Sequence, residues 1–297
     1  MSMINKVPAS AGAQWLLDGL ATLRRAPLQL GLLGALWALL SLLAAQVMAL
    51  ATVPGLFLQL LLGLASPVLF AGVLGAVRKA QTGQAVVPGD LFRGFRTGHV
   101  PSLVATLLPQ VLLALAAGLL LMALLGSQGV QQLQEVIAHL EEQAATGGQP
   151  DPALVSQLPA GRLLLWLALL VAGALVASLL VFVAVPDVVF GDRRGGEAMF
   201  NSLRACLHNL PAVILFYVLL FIVLVPLMIM VQLLGLAMTM VGGQLLGVLV
   251  TNVLLMGVML PLIAGCVASA WRQLLGGAAG ASAMPPAAPL PSSTFEA

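Results

Sequence analysis

Charge is what this sequence lacks. Of its 297 residues only 7% are Asp, Glu, Lys or Arg, against roughly 25% in an ordinary soluble domain. Twelve basic and ten acidic side chains cannot coat the surface of a globule this long, which excludes a soluble enzyme. A hydrophobic content of 61% excludes disordered and fibrous chains as well. The net charge is only +2 and no run of five basic residues occurs, so the electrostatic footprint of a nucleic-acid binder is missing. Cysteine is nearly absent: Cys206 and Cys266 form neither a disulfide framework nor a zinc-ligand spacing. A cleavable secretory signal is not expected. Residues 1–27 are too mixed for its basic region, and the loose cleavage pattern Ala49-Leu50-Ala51 runs straight into a second apolar stretch.

What the chain has instead is long uncharged intervals. Arg25 and Arg78 are separated by 52 residues, Arg96 and Glu135 by 38, Arg162 and Asp187 by 24, and Arg204 and Arg272 by 67. A spanning helix needs about 20 apolar residues, so these intervals predict six, at about 28–50, 55–77, 102–125, 162–185, 211–234 and 243–271. Breaks are expected at Pro54-Gly55 and near Gly235 and Gly242-Gly243, and kinks at Pro109, Pro226 and Pro261. An Arg or Asp in mid-span costs roughly 2.5–3.5 kcal/mol on insertion scales, which explains why none is there. With six spans, eleven of the twelve basic residues share the side of both termini, and only Arg162 lies opposite. The positive-inside rule makes that side cytoplasmic. Glu135, Glu141, Glu142 and Asp151 then occupy an acidic external loop at about 126–161.

Two hairpins look duplicated. Residues 66–78 and 260–272 align without a gap, pairing Pro67 with Pro261, Val73 with Val267, Ala76 with Ala270 and Arg78 with Arg272. Each hairpin follows an amphipathic entry segment, with Trp15, Leu16, Leu20 and Leu23 on one face of the first and Met199, Phe200, Leu203 and Leu207 on one face of the second. Both read as helices lying in the membrane interface. The two units start from the same side, so the repeat is parallel, an arrangement found in transporters and in larger scaffolds alike.

The entry Lys6-Val7-Pro8-Ala9 with Gly12, Trp15, Gly19 and Arg24-Arg25-Ala26-Pro27 resembles an uncharacterised group of proteobacterial six-helix inner-membrane proteins. The loop from Pro88 to Arg96 does so too. The stretch Val185-Pro186-Asp187 through Glu197-Ala198, Ser202-Leu203 and Asn209 is similar to the membrane domain that accompanies some bacterial glycerophosphoryl diester phosphodiesterases. The resemblance covers roughly residues 5–97 and 183–275. It implies a six-helix inner-membrane fold and carries no catalytic residues, since the phosphodiesterase chemistry belongs to a separate domain absent from this sequence.

Few residues are candidates for chemistry. Val130, Leu133, Val136, Ile137 and Leu140 fall at helical spacing, and that helix carries Glu135, His139 and Glu142 on one polar face. Three such groups could ligate a metal, although a solvated face is the reading adopted. Within the spans the more central polar residues include Gln59, Ser66, Thr106, Gln110, Ser178, Gln232, Gln244, Thr251 and Asn252. They serve either as hydrogen bonds between helices or as the lining of a neutral substrate path. Small-residue pairs such as Gly173 with Ala177, Ala174 with Ser178 and Gly243 with Gly247 read as helix packing, as do Gly72 and Gly75. The absence of intramembrane charge argues against a proton-coupled pump or an intramembrane protease.

The expected protein is therefore an all-α, six-span protein of the bacterial inner membrane. Residues 1–27 form a cytoplasmic entry, 28–275 the membrane domain and 276–297 a disordered cytoplasmic tail. No catalytic, metal or cofactor site is assigned. The expected partners are membrane lipids, with anionic headgroups or a protein at the basic loops Pro88–Arg96 and Gly191–Gly196. A non-enzymatic scaffold or envelope-maintenance role is the first functional expectation, and a permease or lipid-handling carrier the alternative.

Overall fold

The computed structural model describes residues 4–145 and 158–276, and the regular structure among them is entirely helical. Asp151 and the expected tail beyond 276 fall outside the described residues, as does the Glu141 side chain. Helix α1 covers Ala11–Arg25, α2 Pro27–Leu50 and α3 Thr52–Gln81; a 3-10 helix follows at Pro88–Arg96. Then come α4 (Val100–Ala105), α5 (Leu108–Ala145), α6 (Ala160–Val181), α7 (Ala184–Gly191), α8 (Gly195–His208) and α9 (Leu210–Leu274).

Five helical stretches are long and apolar enough to cross a membrane: Pro27–Leu50, Thr52–Gln81, Val100–Leu140, Ala160–Gly191 and Leu210–Leu274. The last is long enough for two crossings. Its backbone breaks at Gly243 (φ 83°, ψ 172°), a region open essentially to glycine alone. The two arms then touch, because a β-carbon on Gly235 would collide with Thr251 Oγ1. The sequence marks this turn at Gly242-Gly243, whereas Gly235, also expected as a break, lies within the helix and packs against Thr251. At the first hairpin the turn is tighter than Pro54-Gly55 implied: Ala51 alone separates α2 from α3. Pro54 sits in the first turn of α3, where its missing N–H costs nothing.

The expected third span, 102–125, is interrupted. Helix α4 stops at Ala105 and α5 starts at Leu108, because Pro109 has no N–H for the Ala105 carbonyl and its ring crowds that oxygen. Pro109 thus starts a helix rather than kinking one. Past Gly126 (φ 71°, ψ 176°) α5 changes direction and continues to Ala145, so the first part of the external loop is helical. Val136 is buried there, while Ile137, from the same expected apolar face, is exposed.

The core lies at one end of the bundle. Asn5 N donates to Leu274 O at 3.0 Å, so both ends of the described chain meet there, in company with most of the arginines. One buried cluster joins Leu30 and Leu33 to Val73, Val77, Leu91 and Val188. The other joins Trp15 to Phe182, Phe216, Leu262, Cys266 and Leu274. Towards the opposite end the helices expose Leu, Val and Met along their length, a surface that lipid tolerates and water would not.

The two amphipathic segments use their apolar faces in opposite ways. In α1, Trp15 and Leu16 are buried. Trp15 packs its ring 6.0 Å from Phe182 and 5.9 Å from Phe216 and donates Nε1–H to Gln273 Oε1 at 3.0 Å. In α8, Phe200 and Leu207 are 57% and 56% exposed, and the buried face is Ala198, Asn201, Ser202, Ala205 and Cys206.

Candidate functional site

Helices α5 and α6 form a hairpin held by Trp166 Nε1 donating to Ala117 O at 2.9 Å and Arg162 to Leu124 O at 3.2 Å. Helix α5 has its main contact with α6 alone. The hairpin therefore stands apart from α2, α3 and α9, and a cleft separates them. At its base is a cavity of about 400 Å³, within the range of small-molecule sites. Trp37, Phe70, Phe182 and Ile263 give it apolar walls, and Ser66, Thr106, Gln110 and Ser178 give it polarity. Four of the intramembrane polar residues singled out from sequence thus converge on one place. The Ser66 hydroxyl donates to Gly63 O at 2.7 Å and Thr106 to Leu103 O at 2.6 Å, so both oxygens keep acceptor lone pairs for a ligand.

The other polar residues lie elsewhere. Gln232 lines a separate void of about 660 Å³. Asn252 Nδ2 donates to Val248 O of its own helix at 2.9 Å, and Thr251 packs beneath Gly235. Gln59 and Gln244 are exposed. The amides do not line a common pore.

Two helix breaks meet at the cavity. One is Thr106–Leu107, where the Gln110 amide nitrogen, in the orientation its neighbours require, donates to Thr106 O at 3.0 Å and Leu107 O at 3.1 Å. The other lies between α6 and α7, at Phe182–Val183. There Ser202, from α8, enters the helical ladder. Its hydroxyl donates to Leu179 O at 2.7 Å and accepts from Val183 N at 3.1 Å, replacing the direct bond that a continuous helix would make. Irregular backbone at membrane depth is tolerated where it lines a cavity or is buried in protein.

Below the cavity three aspartates organise the charged end. Asp187 is 2% exposed and accepts from Trp271 Nε1 at 3.0 Å and Asn201 Nδ2 at 3.3 Å. Arg193 Nε lies 3.4 Å from the same carboxylate, near enough for an ion pair but not aligned as a hydrogen bond. Asp18 accepts from the Ser269 hydroxyl, tying α1 to α9. Asp90, 1% exposed, holds Lys79 and Arg93 at 2.8 Å each and accepts from Val87 N at 3.0 Å. Sequence reading took Asp90 as part of the charged loop Pro88–Arg96 and Asp187 as a span boundary and part of a resemblance motif, and saw no buried role for either. The signal it passed over is the pairing of each with a helix-starting proline, in Pro88-Gly89-Asp90 and Pro186-Asp187.

The chain belongs to the DUF7847 family, a domain of unknown function, matched over residues 12–274. No curated protein and no solved structure matches it. The DUF7847 match takes in nearly all of α1 through α9, and with them the cleft, both helix breaks, the buried Asp90 and Asp187 and the half-buried Asp18.

Burial works against ionisation of Asp90, but the Lys79 hydrogen bond, the Val87 N–H and the charges of Lys79 and Arg93 together hold its carboxyl below the usual 3.8. A depressed folded value contributes stability that is complete above the unfolded value and lost as pH falls through the folded one. Acid unfolding of the wild type below pH 3.8 is thus expected to include a step that Asp90→Asn removes. Identical acid limbs for the two proteins would refute it. Burial also pushes the Cys206 thiol up to about 12, against a Ser202 hydrogen bond that lowers it, and Cys266 is buried too. Neither is a nucleophile at neutral pH. Maleimide at pH 7.5 is expected to leave both unlabelled in nanodiscs and to label two thiols after denaturation; rapid native labelling would contradict this burial. His139 Nδ1 and Glu142 Oε2 are 4.0 Å apart on an exposed surface. No group of three His, Cys, Asp or Glu placed to hold a metal occurs among the described residues.

Proposed function

We propose that this protein is a non-enzymatic carrier of the bacterial inner membrane, with both termini cytoplasmic, that takes a neutral or amphipathic lipid into the cleft beside the α5–α6 hairpin. The observation that carries the reading is the cavity itself, with its apolar walls, hydroxyl and amide groups among its lining, and two helix breaks beside it. Discontinuous helices around a binding site are a recurring feature of transporters. The helices that line the cleft also expose Leu64, Leu108, Leu112 and Leu175, so their outer surfaces suit acyl chains. Because both breaks sit at the roots of one hairpin, the α5–α6 pair is the part that moves when substrate enters or leaves. The bacterial inner-membrane setting follows the sequence resemblance and the bias of basic residues.

A parallel repeat, which suits a carrier and a scaffold alike, fits this reading. With Pro67 paired to Pro261, Val68 corresponds to Leu262. A β-carbon on Gly94 would lie 2.0 Å from Val68 O, and one on Gly19 2.9 Å from Leu262 O. Helix α1 and the 3-10 helix thus dock at equivalent positions on α9 and α3. The 3-10 helix has three residues per turn, so it presents three faces. Leu91 and Gly94 are buried, Phe92 and Phe95 are exposed together, and Arg93 and Arg96 are exposed together. That arrangement suits an interface of acyl chains and anionic headgroups, and α8, with Phe200 and Leu207 outward and Arg204 over the Phe200 ring, suits it equally.

A scaffold role is the second reading, favoured by the exposed Arg24, Arg25, Arg96, Arg194 and Arg204 at the charged end. Native mass spectrometry of the protein in nanodiscs made from host lipid separates the two. The carrier reading expects a retained lipid that Ser178→Trp, which fills the cavity, removes and Gln59→Leu does not. Retention unchanged by Ser178→Trp, with a co-purifying protein lost on charge reversal of Arg193 and Arg194, would establish the scaffold instead.

A further inference from the structure

Within the outer halves of the spans, Thr239 and Asn252 donate to carbonyls of their own helix. Gln232 makes no hydrogen bond to any described residue, and it is exposed on the first arm of α9. It lies ten residues before Gly242, about 15 Å from the turn at helical rise, with apolar sequence on both sides. An amide at that depth has no water to satisfy it, and acyl chains offer it no partner. It is also central. Val225, Ile229, Gln232 and Leu236 follow one another at four- and three-residue steps, flanked by Met228 and Leu233, and together they line an open hollow along the helix surface. All six belong to one arm of one helix, so no other described residue supplies an opposing wall.

We infer that the missing wall is the same stripe of a second copy, packed across a two-fold axis with the two Gln232 amides hydrogen-bonded to each other. The amide is self-complementary: each carries an NH₂ donor and a carbonyl acceptor, so an isologous pair satisfies both at once. Steps of three and four residues match the packing of left-handed helix pairs. Lipid would cover the Val, Ile, Leu and Met positions equally well, but only a polar partner answers Gln232. The inference is independent of the carrier reading, since the cleft lies on other helices.

Cysteine cross-linking in native membranes tests it, and the buried Cys206 and Cys266 need not be removed. Leu236→Cys, on the stripe, is expected to give a disulfide-linked dimer under mild oxidation, and Met230→Cys, on the opposite face of the same arm, is not. Adding Gln232→Leu should lower the Leu236→Cys dimer yield at least fivefold, whereas Gln232→Asn retains most of it. Ser178→Trp should leave the yield unchanged whether or not it displaces a lipid from the cleft. Equal cross-linking at Met230 and Leu236, or a dimer indifferent to Gln232→Leu, would overturn the inference. So would a native mass spectrum showing monomer with a lipid whose loss depends on Gln232.

Discussion

Asp187→Ala is expected to lower the stability of the folded protein by about 3–5 kcal/mol, the range for removing one partner of a buried, hydrogen-bonded charge. Two donors lose their acceptor and one cation its counter-ion together. Trp271 Nε1–H and the Asn201 amide are left facing a vacated site, and Arg193 keeps only its exposed contact with Glu197, at 2.6 Å. These groups come from the end of α9, from α8 and from the link between α7 and α8, so one side chain joins the last span to the middle of the chain. Asp187→Asn keeps a carbonyl acceptor for Trp271 and should lose less. Glu197→Ala removes an exposed partner and should cost no more than about 1 kcal/mol. Equilibrium unfolding in mixed micelles orders the three. An Asp187→Ala protein as stable as Glu197→Ala would show that the carboxylate is not what holds these elements together.

Gly34→Leu is expected to separate α2 from the second arm of α9. A β-carbon at Gly34 would sit 2.1 Å from Met256 O and 2.7 Å from Gly257 Cα. Those are backbone atoms, which cannot move aside as a side-chain tip can. Close approach of helix backbones through small residues is a main source of attraction between helices in lipid, where apolar burial drives little. Overpacking such a contact costs about 1–3 kcal/mol, and more where the backbone itself must shift. Gly63→Leu is the matched control, because a β-carbon there meets nothing within 4 Å. Thermal midpoints in nanodiscs should fall clearly for Gly34→Leu and stay near wild type for Gly63→Leu. If both are tolerated, the crossing is looser than the backbone contacts indicate.

The cleft brings both kinds of information together. Ser66, Thr106, Gln110 and Ser178 were visible in sequence as polar residues in apolar runs, since a hydroxyl or amide stands out in such a background. Their meeting around one cavity was not visible, because α3, α5 and α6 converge only through the packing of the bundle. Gln232 and Asn252 had the same local signature and ended apart. Gly34 and Gly94 were two glycines among many, and Ser202 was part of a helix face until the break between α6 and α7 gave its hydroxyl two backbone partners.

The sequence by itself determined that the chain is built of long apolar helices fit for a membrane, and where along it charge is excluded. Each follows from a local cost: a charge cannot sit in hydrocarbon, a span needs about 20 apolar residues, and a turn with positive φ needs a glycine such as Gly243. Tertiary structure decided the rest. Which glycines touch backbone, which aspartates are buried with partners, which way each amphipathic helix faces and where the polar hydroxyls gather all depend on distances between segments far apart in the chain. Asp187 and Trp271 are 84 residues apart, and no periodicity or spacing along the chain encodes that contact.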